Sequence, residues 1–311
     1  MSRSRIIVVG SSNTDMVIRT DRFPKPGETI LGKEFFMNQG GKGANQAVAA
    51  ARLGGEVVLV ASVGDDVFGK AALQSLWDEG IDVSYVLMNK DKPSGVALIT
   101  VDKQGENNIV VASGANNDLL TERISGLDVL LKEASFVLMQ LEIPIETVEK
   151  ITSQANNRKI KVILNPAPAR ELSSSILRNL YLITPNEEEA SLLTGIEVVD
   201  VQSAKEAAQV LVNKGVKNVV ITMGAKGAVA LFDGECFGVN AHSVRALDTT
   251  AAGDVFNGAL VVALNEDKPI REALEFAALA AGIAVTRLGA QSSSPYREEL
   301  DVYYQTTQNQ F

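Results

Sequence analysis

Two aspartates, Asp248 and Asp254, bracket a run of very small residues in "DTTAAGD", directly ahead of an apolar helical pattern. A helix N-terminus carries about half a positive charge and several unpaired N–H donors. Ala251, Ala252 and Gly253 are small enough there to let an anion reach the backbone. Asp254 then falls in the first turn, beside any bound anion. A carboxylate next to a phosphate is repulsive, so it suits static phosphate binding poorly. It suits a reaction in which Asp254 accepts a proton from a hydroxyl that attacks the phosphate. The competing reading is that Asp254 only caps the helix.

Other stretches carry groups of the same kind. In "TPNEEEASLLTG" (184–195) Asn186 and Glu189 lie three apart, on one face of a first helical turn. An amide oxygen and a carboxylate suit a hydrated Mg²⁺ near a nucleotide, or a plain capping box. "ITMGAKGAVALF" (221–232) reads as strand, glycine turn and strand, where Gly224 and Gly227 would allow close approach under an adenine or phosphate. A tight hairpin explains it equally. "NQGGKGANQAVAAARLGG" (38–55) places Lys42 at a helix start and Asn45 one turn in, both able to donate to hydroxyls or a phosphate. Gly40, Gly41 and Gly43 would let a ligand touch the main chain. "GSSNTD" (10–15) adds Asn13 and Asp15, and Glu142 closes "SFVLMQLE". Carboxylates and amides around a flexible cation can hold sugar hydroxyls, which both donate and accept.

"GDDVFGKA" (64–71) imitates a P-loop, but Ala71 replaces the Ser/Thr that would meet Mg²⁺, and Asp65 and Asp66 would face the phosphates. It reads as a turn feeding a helix over 67–80. The single histidine, His242, stands beside no nucleophile motif, and the single cysteine, Cys236, excludes a disulfide within one chain.

These groups need a scaffold. Apolar runs without alternation at 5–10, 56–64, 135–142, 161–168, 181–186 and 218–224 read as buried parallel strands. Helical patterns at 43–54, 67–80, 144–157 and 203–215 separate most of them, and two more follow at 252–266 and 269–287. This alternation predicts an α/β fold, a doubly wound, mostly parallel sheet with helices on both faces, all within one domain over 1–311. Residues 14–37 and 94–112, the latter with the turn "DKQGEN", read instead as antiparallel strands of a small sheet lid standing off the main body. One face of such a sheet invites a second copy of the chain. The tail from 303 reads as frayed.

With 46% apolar and 22% charged residues and a net charge of −9, the chain reads as globular, with no basic tract for a nucleic acid. The N-terminal apolar run is too short for a secretory segment and no stretch would span a membrane, so a cytoplasmic setting is expected.

Taken together, "GSSNTD", "GGKGANQA", "MQLE", "NPAP", "TPNEEEA", "DTTAAGD" and "AVTRLGAQSSSP" resemble the ribokinase-like (phosphofructokinase-B type) carbohydrate kinases, nearly along the whole chain. The "DTTAAGD" form marks that superfamily, and the loop at 38–54 is the more specific part. The resemblance implies phosphoryl transfer from ATP to the 5-hydroxyl of D-ribose, giving ribose 5-phosphate. It makes Asp254 the base, and the amides of Ala251, Ala252 and Gly253 the anion hole. It assigns the sugar to Asn13, Asp15, Gly41, Lys42, Gly43, Ala44, Asn45 and Glu142. It gives nucleotide and Mg²⁺ to Asn186 and Glu189, and lines the nucleotide site with Thr222, Met223, Gly224, Ala225, Lys226 and Gly227. It also implies a K⁺ site at Asp248 with oxygens of Thr250, Ala284, Arg287 and Gly289, Ser293 nearby, and a homodimer through the lids. Thr250 and the serine run at 292–294 depart from the usual pattern. Another sugar kinase of this fold (for 2-deoxyribose, fructose or a nucleoside) and a catalytically silent sugar-binding regulator are the alternatives.

Overall fold

The computed structural model describes residues 5–308. Chain order begins with β1 (Arg5–Val9), β2 (Asn13–Arg19), β3 (Glu34–Gly40), α1 (Lys42–Arg52), β4 (Val57–Gly64), α2 (Val67–Asp78) and β5 (Asp82–Asn89). It continues through β6 (Gly95–Val101), β7 (Asn107–Ala112), α3 (Leu127–Lys132), β8 (Ala134–Met139), α4 (Ile145–Asn157), β9 (Lys161–Leu164), α5 (Ser174–Leu177) and β10 (Leu182–Ile183). The last third holds α6 (Glu187–Thr194), α7 (Val201–Asn213), β11 (Asn218–Thr222), β12 (Ala228–Phe232), β13 (Glu235–Val239), α8 (Ala252–Asn265), α9 (Ile270–Ala284) and α10 (Arg297–Gln308).

Nine strands form one sheet in the order β13-β12-β11-β10-β9-β8-β1-β4-β5, parallel except around β12. Ile6 to Val9 are wholly buried because both faces of β1 are covered, and such strands need no polar alternation. One face packs on α1, α8 and α9, the other on α3, α4, α6 and α7. Each large aliphatic side chain buried there stabilises the fold by about 1.5–3 kcal/mol. Helix α1 is built from alanines because α8 lies against it: a Cβ on Gly258 would meet the Ala49 Cβ at 2.7 Å.

The chain winds from β1 outward through β4 to β5, then returns to β8 on the other side of β1 and proceeds to β13. Strand order therefore reverses between β1 and β8, and a ligand crevice is expected beyond their carboxyl ends. There Ser11 donates from Oγ to Glu142 Oε2 at 2.5 Å, joining the two strand ends.

A second sheet has the order β3-β2-β6-β7 and corresponds to the expected lid. Its central pair corrects one expectation: β2 and β6 run parallel, from Asn13 opposite Gly95 to Arg19 opposite Val101. Both strands leave the carboxyl edge of the main sheet and travel outward together. Alternating side chains fit either direction, so sequence pattern alone does not decide it. Met16, Ile18, Phe35, Met37, Leu98 and Val110 share one apolar, largely exposed face, while Asp15, Asn38 and Ala97 lie on the other.

The false P-loop is an anchor between α2 and the lid. Asp66 caps α2 through Gly69 N at 2.8 Å and holds Ser94, ahead of β6, through its N at 2.8 Å and Oγ at 2.7 Å. The tail also differs from expectation, since α10 continues to Gln308; residues 309–311 lie outside the described residues.

Candidate active site

Two helices, α1 and α8, start at the crevice, and their N-termini are in opposite states. At α1 the first amides are already occupied: Lys42 N donates to Glu142 Oε2 at 3.1 Å, Gly43 N to Ser11 Oγ at 3.4 Å and Ala44 N to Ser11 O at 2.8 Å. The glycines here are also required by the protein's own backbone. A Cβ on Gly43 would meet Gly10 C at 2.6 Å, and one on Gly41 (φ 88°) would meet Asn13 N at 2.7 Å. One on Gly40 would meet Asp15 Oδ2 at 2.2 Å, and Ala44 is buried in the core.

Helix α8 begins differently. Ala251 adopts the left-handed conformation (φ 59°), uncommon for a residue with a Cβ, and turns the chain sharply into the helix. The Ala252 amide is spent on Thr249 O at 3.2 Å, but those of Ala251, Gly253 and Asp254 meet no acceptor among the described residues. A Cβ on Gly253 would meet nothing within 4 Å among the described residues, so the helix end faces open space. This is the geometry of an anion site.

Asp254 sits just inside that end with only 5% of its surface exposed. Asn45 Nδ2 donates to its Oδ2 and Gln46 Nε2 to its Oδ1, each at 3.0 Å. Burial pushes its carboxyl up from the usual range, against the opposing pull of Lys42 and the two amides. Lys42 is in turn held above its ordinary value, chiefly by Asp254. A buried carboxylate with raised proton affinity beside a fixed cation is suited to take a proton near neutral pH. Asn45 Oδ1 is buried without a hydrogen-bond partner among the described residues, leaving an acceptor beside the carboxylate.

A cavity of about 180 Å³ opens over Asp254 and Gly253, lined also by Lys42, Thr222, Asn186 and Glu189. It adjoins an apolar slot of about 440 Å³ between Gly224, Ala225, Gly227, His242, Phe256 and Val285, with Thr222, Thr249, Ala252 and Gly253 common to both. An apolar slot joined to a polar end matches the two halves of a nucleotide. Met223 turns into the core, and Lys226 pairs with Glu187 at 3.0 Å and Val199 O at 2.9 Å, so neither lines the slot. His242, which stands beside no nucleophile motif, does line it, with Nδ1 3.2 Å from the Tyr303 hydroxyl. A larger cavity of about 960 Å³ lies at the amino ends of β8 and β9, at the edge of the sheet away from this crevice.

Asn186 and Glu189 form the capping box of α6: Asn186 N donates to Glu189 Oε2 at 2.9 Å and Glu189 N to Asn186 Oδ1 at 2.8 Å. Glu189 Oε1 remains, on a carboxyl that burial holds above its ordinary value. Among the described residues no three His, Cys, Asp or Glu side chains converge to cage a metal. One carboxylate on the cavity wall fits a Mg²⁺ that keeps its waters and arrives on phosphates.

On the sugar side, Asn13 Oδ1 accepts from Asn116 Nδ2 at 2.8 Å, so Asn13 presents its amide N–H groups to the crevice. Asp15 stands on the inner face of the lid sheet, where burial, then the charges of Glu142 and Asp254, push its carboxyl up to about 6. Asn13 and Glu142 line a further cavity of about 490 Å³.

Asp248 ties two loops together, accepting from Thr250 N through Oδ1 and Gly289 N through Oδ2, both at 2.9 Å. Thr250 and Gly289 are thus brought to Asp248. Arg287 sends its side chain to Glu299, the amide of Arg287 bonds Ala284 O at 3.0 Å, and Ser293 is buried with its hydroxyl on Ala290 O at 2.8 Å. A carboxylate with main-chain carbonyls is a hard, all-oxygen donor set, which fits a cation such as K⁺.

Gln46, Gln140, Asn165, Thr184 and Asn257 escaped the sequence reading. They form a buried chain of amides and a hydroxyl around Asp254, gathered from α1, α8 and the residues that follow β8, β9 and β10.

Residues 3–297 match the pfkB family of carbohydrate kinases, and the chain belongs to that family. It is a carbohydrate kinase, with the fold that the motifs imply. It is 46% identical to a ribokinase of Haemophilus influenzae over 297 residues, covering 96% of this chain and 97% of that one. A deoxyribokinase of Salmonella typhi is 38% identical, covering 96% and 98%. The structure of Arabidopsis thaliana ribokinase complexed with ribose and ATP superposes with a TM-score of 0.90 at 32% identity, covering 96% and 97%.

Proposed function

We propose that the chain is a ribokinase, transferring the terminal phosphoryl group of ATP to the 5-hydroxyl of D-ribose. The observation that carries this reading is the open start of α8 beside buried, amide-held Asp254, in a chain similar to ribokinases along nearly its whole length. Asp254 takes the hydroxyl proton as the sugar oxygen bonds to the terminal phosphorus. The bond from that phosphorus to the bridging oxygen breaks, and ADP leaves with the electron pair. The amides of Ala251, Gly253 and Asp254 meet the transferring group where its charge is greatest, with Lys42 nearby. Asn13 and Lys42 donate to sugar oxygens, while Asp15, Glu142 and Asn45 Oδ1 accept from sugar hydroxyls.

Glu189 would hold Mg²⁺ through water, with Asn186 positioning it, and the ion would neutralise phosphate charge. Asp248, with carbonyls from the loops it ties, would hold K⁺ behind the helix end and strengthen its positive field. We read 1–311 as one catalytic domain with a lid whose apolar outer face meets the lid of a second copy. No helix of the described residues is long and apolar enough to cross a membrane, and a cytoplasmic setting suits an ATP-consuming kinase.

An ATP-consumption assay across pentoses, hexoses and nucleosides, with and without K⁺, tests the reading. D-ribose is expected to give the highest kcat/KM. A higher value for 2-deoxyribose would move the assignment to a deoxyribokinase, and no turnover on any sugar would end it.

A further inference from the structure

We propose that Gln46 is a positioning residue for Asp254, fixing the plane of the carboxylate so that its free lone pairs face the sugar. This rests on the reading of Asp254 as the base. Gln46 is wholly buried between α1 and the sheet, where an amide is costly unless every polar atom is bonded. A methionine would fill similar space without that cost, so the amide needs a reason.

Its hydrogen bonds supply one. Nε2 donates to Asp254 Oδ1 at 3.0 Å and to Asn165 Oδ1 at 3.1 Å, while Oε1 accepts from Gln140 Nε2 at 2.5 Å. A flipped amide would set Oε1 against two acceptors and Nε2 against a donor, so Gln46 is locked. Asn45, the preceding residue, holds the other carboxylate oxygen. Each oxygen of Asp254 thus receives one amide from the same turn of α1, which fixes the carboxylate against rotation.

The chain of bonds also reaches the anion site. Asn165 Nδ2 donates to Thr184 O at 3.1 Å, Thr184 Oγ1 to Asn257 Oδ1 at 2.6 Å, and Asn257 Nδ2 to Gly253 O at 2.8 Å. Gly253 O belongs to the peptide whose N–H is that of Asp254. Through Gln46 the proton acceptor and the helix end that meets the phosphate share one rigid frame. The two amides also favour the ionised acid, offsetting part of what burial does to it.

The test compares Gln46→Met, which deletes the amide, with Gln46→Glu, which puts a further acceptor beside the carboxylate. Both are expected to lower kcat at neutral pH by about 10–100-fold, the effect of losing a hydrogen bond to a charged group, with sugar KM within about threefold. The acid limb of the kcat–pH profile should move up by about one unit, further in Gln46→Glu than in Gln46→Met. A merely structural residue would leave that limb in place. An unmoved limb, or a raised KM with kcat intact, would overturn the proposal. If Gln46→Met fails to fold by thermal melting, Gln140→Met removes the brace on Gln46 instead; it should move the limb the same way by less, and an unmoved limb there counts equally against it. Asp254→Asn, run alongside, separates the two readings: turnover surviving in that variant removes the base itself, whereas an unmoved limb with Asp254→Asn inactive removes only Gln46.

Discussion

The main-chain N–H of Lys42 donates to Glu142 Oε2, 3.1 Å away, although the residues lie 100 positions apart. Glu142 thereby closes the start of α1 with a protein carboxylate, and the start of α8 is left as the one facing an open cavity. Glu142→Ala should reopen α1 and remove a sugar acceptor. Steady-state kinetics should show KM for the sugar rising about 10–100-fold, with KM for ATP nearly unchanged. A rise confined to ATP would place the nucleotide at α1.

Asp15 sets a pH dependence. Its carboxyl stands at about 6 in the fold, raised from 3.8. In the unfolded chain the proton leaves first, so stability falls as pH rises from about 4 to about 6, and the loss is complete above that. Asp15→Asn should therefore raise Tm near pH 7.5, the gain shrinking toward about pH 4, while sugar KM rises. Thermal melts across that range check it; a lowered Tm at neutral pH contradicts it.

Asp248 should act on the cation and not on the sugar. Asp248→Ala removes the clasp on Thr250 and Gly289 and should weaken K⁺ activation more than it weakens sugar binding. Activity titrated with K⁺ in both forms is the measurement. An unchanged response removes the cation site.

The lid carries its own prediction. Leu98, 55% exposed, lies at the centre of the apolar outer face. Leu98→Lys should convert a dimer to a monomer in sedimentation, since a lysine there would lose its water on pairing. A wild-type chain that sediments as a monomer contradicts the pairing.

Much of the scaffold is legible because burial on both faces writes continuous apolar runs, as at 5–10 and 56–64. Strand β5 was missed, since "DVSYVLMN" is interrupted by polar residues at the sheet edge, where one side meets solvent. The parallel pairing of β2 and β6 is not legible because an alternating pattern fits either strand direction. In the site, Asp254, Lys42 and Glu142 announce themselves by charge beside small residues. Gln46 does not: in "GANQAVAAAR" a glutamine reads as a solvent face until α8 is laid over it. The sequence does not show that the missing Cβ of Gly43 makes room for Gly10, a contact that only the fold creates.

Asp254→Asn is the most direct test that the acid at the start of α8 does the proton transfer. The substitution keeps shape and burial and removes the base, so kcat should fall by about 10²–10⁴-fold while calorimetric ribose affinity stays within a few-fold. Turnover close to that of the unaltered chain would show that the sugar proton goes elsewhere.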